Sequence, residues 1–359
     1  MKPSPNIGFG RDSPDPVAMD ALSGSDIWIV GHAHDAHDNT TPAYLALHRN
    51  GFSSQVTLAP HPPGYVYGAE DLYLMDVEMV SSNDVWAVGT GGRQGNTIIQ
   101  HWNGFHWSIV PSPRVGQEIS SFDGLAAVNR NDIWAVGQTY SRTDQAKHSL
   151  VAHWDGSSWS LVQTPDAGAL HAVTAISSTD VWAVGDGKSL HWDGAVWTMV
   201  PAPEGRWESV AASGPRDVWL AGWTRRALKD SPAIARWDGT SWRSIPVDDV
   251  PRIGSEEEGQ LHAITAVAKD DVWAVGVNIG EERRNPAGFG LPPFGRTLVM
   301  HWDGNTWSYV PSPNPTQSQH LSDVVALGPD EIWVVGELND LSSDSKVLLA
   351  RFARTPCTS

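Results

Sequence analysis

Apolar positions in this chain fall in short runs separated by tight polar turns, and the stretch 170–203 shows the pattern at its shortest. Leu170–Ser177 is apolar and β-branched, with small residues at Ala172 and Ala175. A tight turn at Thr179 and Asp180 leads into a second apolar run, 181–184, which stops at Gly185. Leu190, His191 and Trp192 form a third run, ended by Asp193-Gly194, a strong hairpin signal. The fourth run, Trp197–Val200, stops at Pro201 and Pro203, which cannot join a central ladder. Four short strands with three tight connections predict one antiparallel meander. No helical period of 3.6 residues is sustained anywhere.

The unit recurs. Its second strand reads D-I-W-I-V-G at Asp26, D-V-W-A-V-G at Asp84, D-I-W-A-V-G at Asp132, D-V-W-A-V-G at Asp180, D-V-W-L-A-G at Asp217, D-V-W-A-V-G at Asp271 and E-I-W-V-V-G at Glu331. Successive tryptophans of this hexapeptide are 58, 48, 48, 37, 54 and 60 residues apart. A period of about 40–50 residues marks a solenoid, propeller or array. The third and fourth strands recur as H-W-N-G-F-H-W at His101, H-W-D-G-S-S-W at His153, H-W-D-G-A-V-W at His191, R-W-D-G-T-S-W at Arg236 and H-W-D-G-N-T-W at His301. Two tryptophans flank each turn and should meet across the hairpin. One such sheet cannot bury both faces, but seven around an axis can, each packing on its neighbour. The expected fold is all-β: a single seven-bladed β-propeller domain spanning 1–359, built of four-stranded antiparallel blades. The last blade is incomplete, because no W-x-x-V-P-S-P strand follows 347–352. The segment Pro3-Ser4-Pro5-Asn6 resembles Pro311-Ser312-Pro313-Asn314, which follows a complete fourth strand. The start of the chain therefore falls where the missing strand would end.

Net charge is −17, but much of it is architectural. Seven acids occupy the turn before the repeated Trp, and Asp155, Asp193, Asp238 and Asp303 occupy the W-D-G turns. The acidity argues against nucleic acid and anionic membranes as partners. The lone Cys357 excludes an intrachain disulfide. No apolar leader occupies the first 25 residues and no run approaches the length of a membrane span, so the chain as written reads as cytoplasmic, or as secreted if a leader has been removed.

These repeats resemble a family of Trp-rich bacterial propeller proteins with units of P-S-P-N, an apolar strand, D-V-W-A-V-G and H-W-[DN]-G-x-x-W-x-x-V-P-S-P. The resemblance covers nearly the whole chain and includes the ending Phe352-Ala353-Arg354-Thr355-Pro356-Cys357. It implies a β-propeller and carries over no common activity. A weaker similarity is to tectonin-type lectin propellers, which also repeat V-W-x-V.

Departures from the template mark candidate sites. The short turns joining strands one to two and three to four are uniform. The connections from strand two to three, and from blade to blade, vary and emerge on the same face, the expected working surface. Seventeen of the 19 tryptophans fit the template. The extras are Trp207, which opens strand one of blade five in place of Leu or Phe, and Trp223, which opens that blade's variable loop. With Arg206, Glu208, Arg225 and Arg226 beside them, they suit a sugar or another planar or cationic ligand, or serve as packing. His101, His153, His191 and His301 hold one repeated position and read as structural. Asp123, His171, Glu208 and His262 hold one position in strand one of four consecutive blades. They are expected to converge near the axis as an acid/base set, as an open site for a divalent transition metal through His171, His262 and Glu208, or as polar channel lining. His32, His34 and His37, with Asp35 and Asp38, form a second metal-binding candidate in the first variable loop, or a solvated loop. No G-x-S-x-G, P-loop or EF-hand motif is present.

Two functional readings follow. The leading one is a binding module that recognises a small molecule, a glycan or a protein loop on the variable face. The alternative is a metal-dependent or acid/base enzyme working through Asp123, His171, Glu208 and His262.

Overall fold

The computed structural model describes residues 2–3, 13–34, 42–51, 53–57, 60, 72–91, 96–113, 115–116, 119–226, 229–247, 258–280, 295–312, 314–316, 318–339 and 346–352. They form the seven-bladed propeller expected from the repeats. The inner strands of the blades, in ring order, are Ser13–Ser23, Leu72–Ser81, Ile119–Asn129, Leu170–Ser177, Arg206–Gly214, Glu258–Ala268 and Ser318–Gly328. Six blades are four-stranded antiparallel meanders. The seventh has three full strands, and its outer edge is completed by the two-residue Lys2–Pro3, which pairs antiparallel with Ala350 and Arg351. Blades one and seven thus close the ring without a shared full blade. Among the described residues no helix is long and apolar enough to cross a membrane.

Tryptophan locks the blades together. In blade four, Trp182 is almost wholly buried, stacks on His191 of its own sheet at 4.3 Å, and meets Trp237 and Trp242 of blade five at 5.0 and 5.3 Å. Trp237 and Trp242 face each other across their hairpin at 5.7 Å, as their spacing about the turn predicts. Trp28, Trp86, Trp134 and Trp219 repeat this contact with the next blade's pair. A buried indole removes roughly 150–250 Å² from water, about 4–6 kcal/mol at ~25 cal/mol per Å². At the seventh blade, which has no such pair, Trp273 meets Phe352 instead.

The acid that opens each hexapeptide holds the blade's third strand. His48, His101, His153, His191 and His301 bond Asp26, Asp84, Asp132, Asp180 and Asp271 at 2.7–2.8 Å. Arg236 bonds Asp217 at 2.6 Å, and Arg351 lies 3.3 Å from Glu331. Acid and base thus change together in blade seven. The repeated histidines are structural, and their partner is the repeated acid.

Candidate functional site

Each inner strand carries a bulge near its start, and the seven extra residues are Val17, Met75, Asp123, His171, Glu208, His262 and Ser322. The hexapeptide glycine makes room for it. A Cβ on Gly31, Gly89, Gly137, Gly185, Gly222, Gly276 or Gly336 would lie 1.8–2.1 Å from an inner-strand carbonyl oxygen, so only glycine admits that approach. All seven bulge residues line one cavity of about 840 Å³ at the axial mouth of the variable face. Asp123, His171, Glu208 and His262 therefore share one mouth.

A second ring precedes the bulges. In six blades the residue two places before the bulge pairs across the strand with the residue after the hexapeptide glycine: Asp15 with His32, Tyr73 with Thr90, Ser121 with Gln138, Arg206 with Trp223, Gln260 with Val277, and His320 with Glu337; in blade four Asp186 bridges to Arg206 of blade five instead. Of this ring the sequence singled out His32, Arg206 and Trp223, on other grounds, and passed over Asp15, Tyr73, Ser121, Gln260 and His320.

Polar contacts run around the mouth. His171 Nε2 lies 3.2 Å from Asp186 Oδ1, which lies 3.6 Å from an Arg206 terminal nitrogen. Arg206 Nε donates to Glu208, and its guanidinium sits 5.6 Å over the half-buried Trp223 ring. The hydrogen bond with His171, followed by the charges of His171 and Arg206, holds the Asp186 carboxyl below its ordinary range. Burial raises Asp123, against hydrogen bonds from Ser121 and from Gln138 Nε2, the latter 2.9 Å away. His262 Nδ1 donates to the Leu321 carbonyl at 2.8 Å, and its ring meets His320 edge-on at 6.0 Å. Burial lowers the proton affinity of both imidazoles.

Two expectations are corrected, for Trp207 and for His32. Trp207 is 1% exposed, donates its indole N–H to Pro203 O at 3.2 Å and fills the slot of the template Leu, so its ring is core and cannot stack on a ligand. Arg225 is exposed and pairs with Asp230 at 3.5 Å, and the Arg226 side chain lies outside the described residues. His32 belongs to a strand, Asp26–His34, rather than to a loop; it is 3% exposed and stacks on Tyr73 at 4.4 Å. His37 and the His34 side chain lie outside the described residues. Among the described residues, no group of three donors within 4.8 Å of one another includes His171, Glu208 or His262. His171 faces Asp186, and His262 is tied by Nδ1 to backbone.

Half-buried carboxylates clasp the inner strands. Asp323 accepts from Met19 N, Asp20 from Met79 N and Asp76 from Leu125 N, each at 2.6–2.7 Å, and Glu78 accepts from Ala127 N at 3.2 Å. Each bond crosses to the next blade, through blades seven, one, two and three. Burial is the main cause that pushes Asp20 up to about 6 and Asp323 up to about 7. Burial, together with neighbouring carboxylates, also lifts Asp76 and Glu78 well above the ordinary range.

No protein-family model matches the chain, and no curated protein matches it. Solved structures do. The chain is similar to the crystal structure of RRP9 WD40 repeats, with TM-score 0.63 at 12% identity over 99% of each chain. It is also similar to the structure of U3-55K, with TM-score 0.62 at 12% identity over 97% of this chain and 99% of that one. At this identity the likeness establishes the fold: a Trp-rich seven-bladed propeller with WD40-like neighbours. The resemblances to the Trp-rich bacterial family and to tectonin-type lectins rest on the quoted motifs alone.

Proposed function

We propose that this propeller is a binding module that receives a cationic segment of a protein partner at its axial mouth. The observation that carries this reading is the charge of that mouth. Asp15 and Glu208 line it, with Asp76, Asp123 and Asp323, whose proton affinity burial raises, against Lys147 and Arg206. A cavity of about 840 Å³ is the size of a ligand site, and an acid-rich concave wall attracts positive charge. Trp223 offers an aromatic surface under Arg206, which donates to Glu208 and lies 3.6 Å from Asp186. In sequence, the connections from strand two to three and from blade to blade differ in length and chemistry, as a recognition surface on a rigid scaffold does.

The test is a panel of short fluorescent peptides, basic, neutral and acidic, titrated against the protein and read by anisotropy. Basic peptides should bind preferentially, weaken with salt, and lose affinity in Glu208→Gln and Asp123→Asn. Phe105→Ala, at an exposed rim turn, should bind like wild type. Equal binding of acidic and basic peptides, or indifference to the mouth substitutions, would refute the reading.

A second reading is acid/base catalysis by Asp123 with His171. It is favoured by the burial that holds the Asp123 carboxyl above its ordinary range near the His171 imidazole, as a general acid requires. A hydrolase substrate panel tests it. Turnover that survives Asp123→Asn would exclude that residue.

A further inference from the structure

We infer that Asp15, His320 and Glu337 form a binding site for a divalent transition-metal ion at the seam between blades one and seven. One ligand atom from each lies within 4.8 Å of the other two. This trio is distinct from the histidines singled out by the sequence.

The backbone prearranges it. His320 and Glu337 are direct cross-strand partners in blade seven. Their side chains therefore share one face of the sheet, and His320 Nδ1 lies 3.8 Å from Glu337 Oε2. Asp15 comes from the adjacent blade, at the same repeat position as His320. It stands between Pro14 and Pro16, which restrict the backbone on both sides. Asn339 Nδ2 donates to Glu337 Oε2 at 3.0 Å, a bond that orients a ligating carboxylate. Three donors about 2.0–2.2 Å from a tetrahedral ion stand about 3.3–3.6 Å apart. Closure from the observed separations thus needs at most about 1.5 Å of side-chain movement.

The donor set selects the ion class. One imidazole and two carboxylates suit zinc or manganese. Calcium takes six to eight oxygens, and magnesium dehydrates reluctantly, so both should bind more weakly. Asp15 and His320 also line the axial cavity, which leaves further coordination positions beside a solvent-accessible space. Because the donors come from the first and last blades, the ion would cross-link the seam at which the ring closes. The metal site stands independently of the peptide-binding reading.

The experiment uses metal-stripped, tag-free full-length protein titrated with Zn²⁺, Mn²⁺, Ca²⁺ and Mg²⁺, followed by calorimetry and thermal denaturation. Zn²⁺ or Mn²⁺ should bind at one equivalent and raise Tm, and chelation should reverse the rise. Asp15→Asn, His320→Ala and Glu337→Gln should each weaken binding at least about tenfold with circular dichroism unchanged. His34→Ala/His37→Ala and His171→Ala/His262→Ala should retain both affinity and Tm rise. The inference is overturned if no saturable site exists in wild type, if binding survives all three substitutions at the trio, or if it is lost with either histidine pair instead.

Discussion

The Arg49 guanidinium lies 5.2 Å over the ring of Trp333, across the seam between the first and last blades. In blades two to six a tryptophan follows the third-strand His or Arg and receives the preceding blade's indole, and in blade seven Phe352 does so. Blade one has Arg49 at that place, after His48. A cation–π contact therefore replaces an aromatic pair where the ring closes, and Arg49 Nε also donates to Gly24 O at 3.1 Å.

Arg49→Ala should lower stability by about 0.5–2 kcal/mol, the range of a partly desolvated cation–π contact. Urea denaturation of the two proteins, with matched slopes, measures it. An unchanged midpoint would show that the seam does not depend on this contact.

Trp182→Ala should cost about 3–5 kcal/mol, because it empties a volume packed by Trp237, Trp242 and His191. Trp223→Ala removes a half-buried ring at the mouth and should cost much less. The same denaturation experiment compares them, and equal losses would contradict this division between scaffold and mouth.

Gly185→Ala would place a methyl carbon 1.8 Å from the Ala169 carbonyl oxygen, so the inner strand must shift. The expected loss is about 1–3 kcal/mol, as for other overpacked sites. Gly214→Ala is the contrast, since nothing lies within 4 Å of its added Cβ, and it should be neutral or stabilising. A comparable loss at both positions would remove the steric account of the repeated glycine.

The Asp323 carboxyl rises from 3.8 in the unfolded chain to about 7 in the fold. The native state then holds a proton that the unfolded chain releases. Its contribution to stability is full below about 4, falls as pH rises and is lost above about 7. Asp323→Asn cannot titrate. The unfolding free energy of wild type minus that of the variant should therefore decline between pH 4 and 7, by up to roughly 4 kcal/mol. His262 and His320, whose proton affinity burial lowers, have the opposite slope but contribute to both proteins. A difference that stays flat with pH would show that Asp323 is not held protonated.

Blade number, strand order within each blade and the structural role of the repeated histidines were legible in the sequence, because they depend on local chemistry. Trp192 and Trp197 face each other because a short Asp-Gly turn allows little else. The convergence of Asp123, His171, Glu208 and His262 was legible as well, since one repeat position maps to one radius of the ring. What each group does there was not. Asp186 captures His171, and the Leu321 carbonyl captures His262. Neither partner belongs to the repeated position. The sequence left Trp207 open between a ligand platform and packing; it is core in three dimensions, because strand register turns its ring into the Leu slot.

By itself, the sequence determined a ring of Trp-locked blades. Its repeated acids, glycines and tryptophans act within one meander or on the next blade, so periodicity alone defines their partners. Tertiary structure decided the seam and the mouth. Met19 N bonds Asp323 across 304 positions of chain, and Asp15 meets His320 and Glu337 by the same closure. No local pattern encodes such contacts, because they exist only once the last blade has come round to the first.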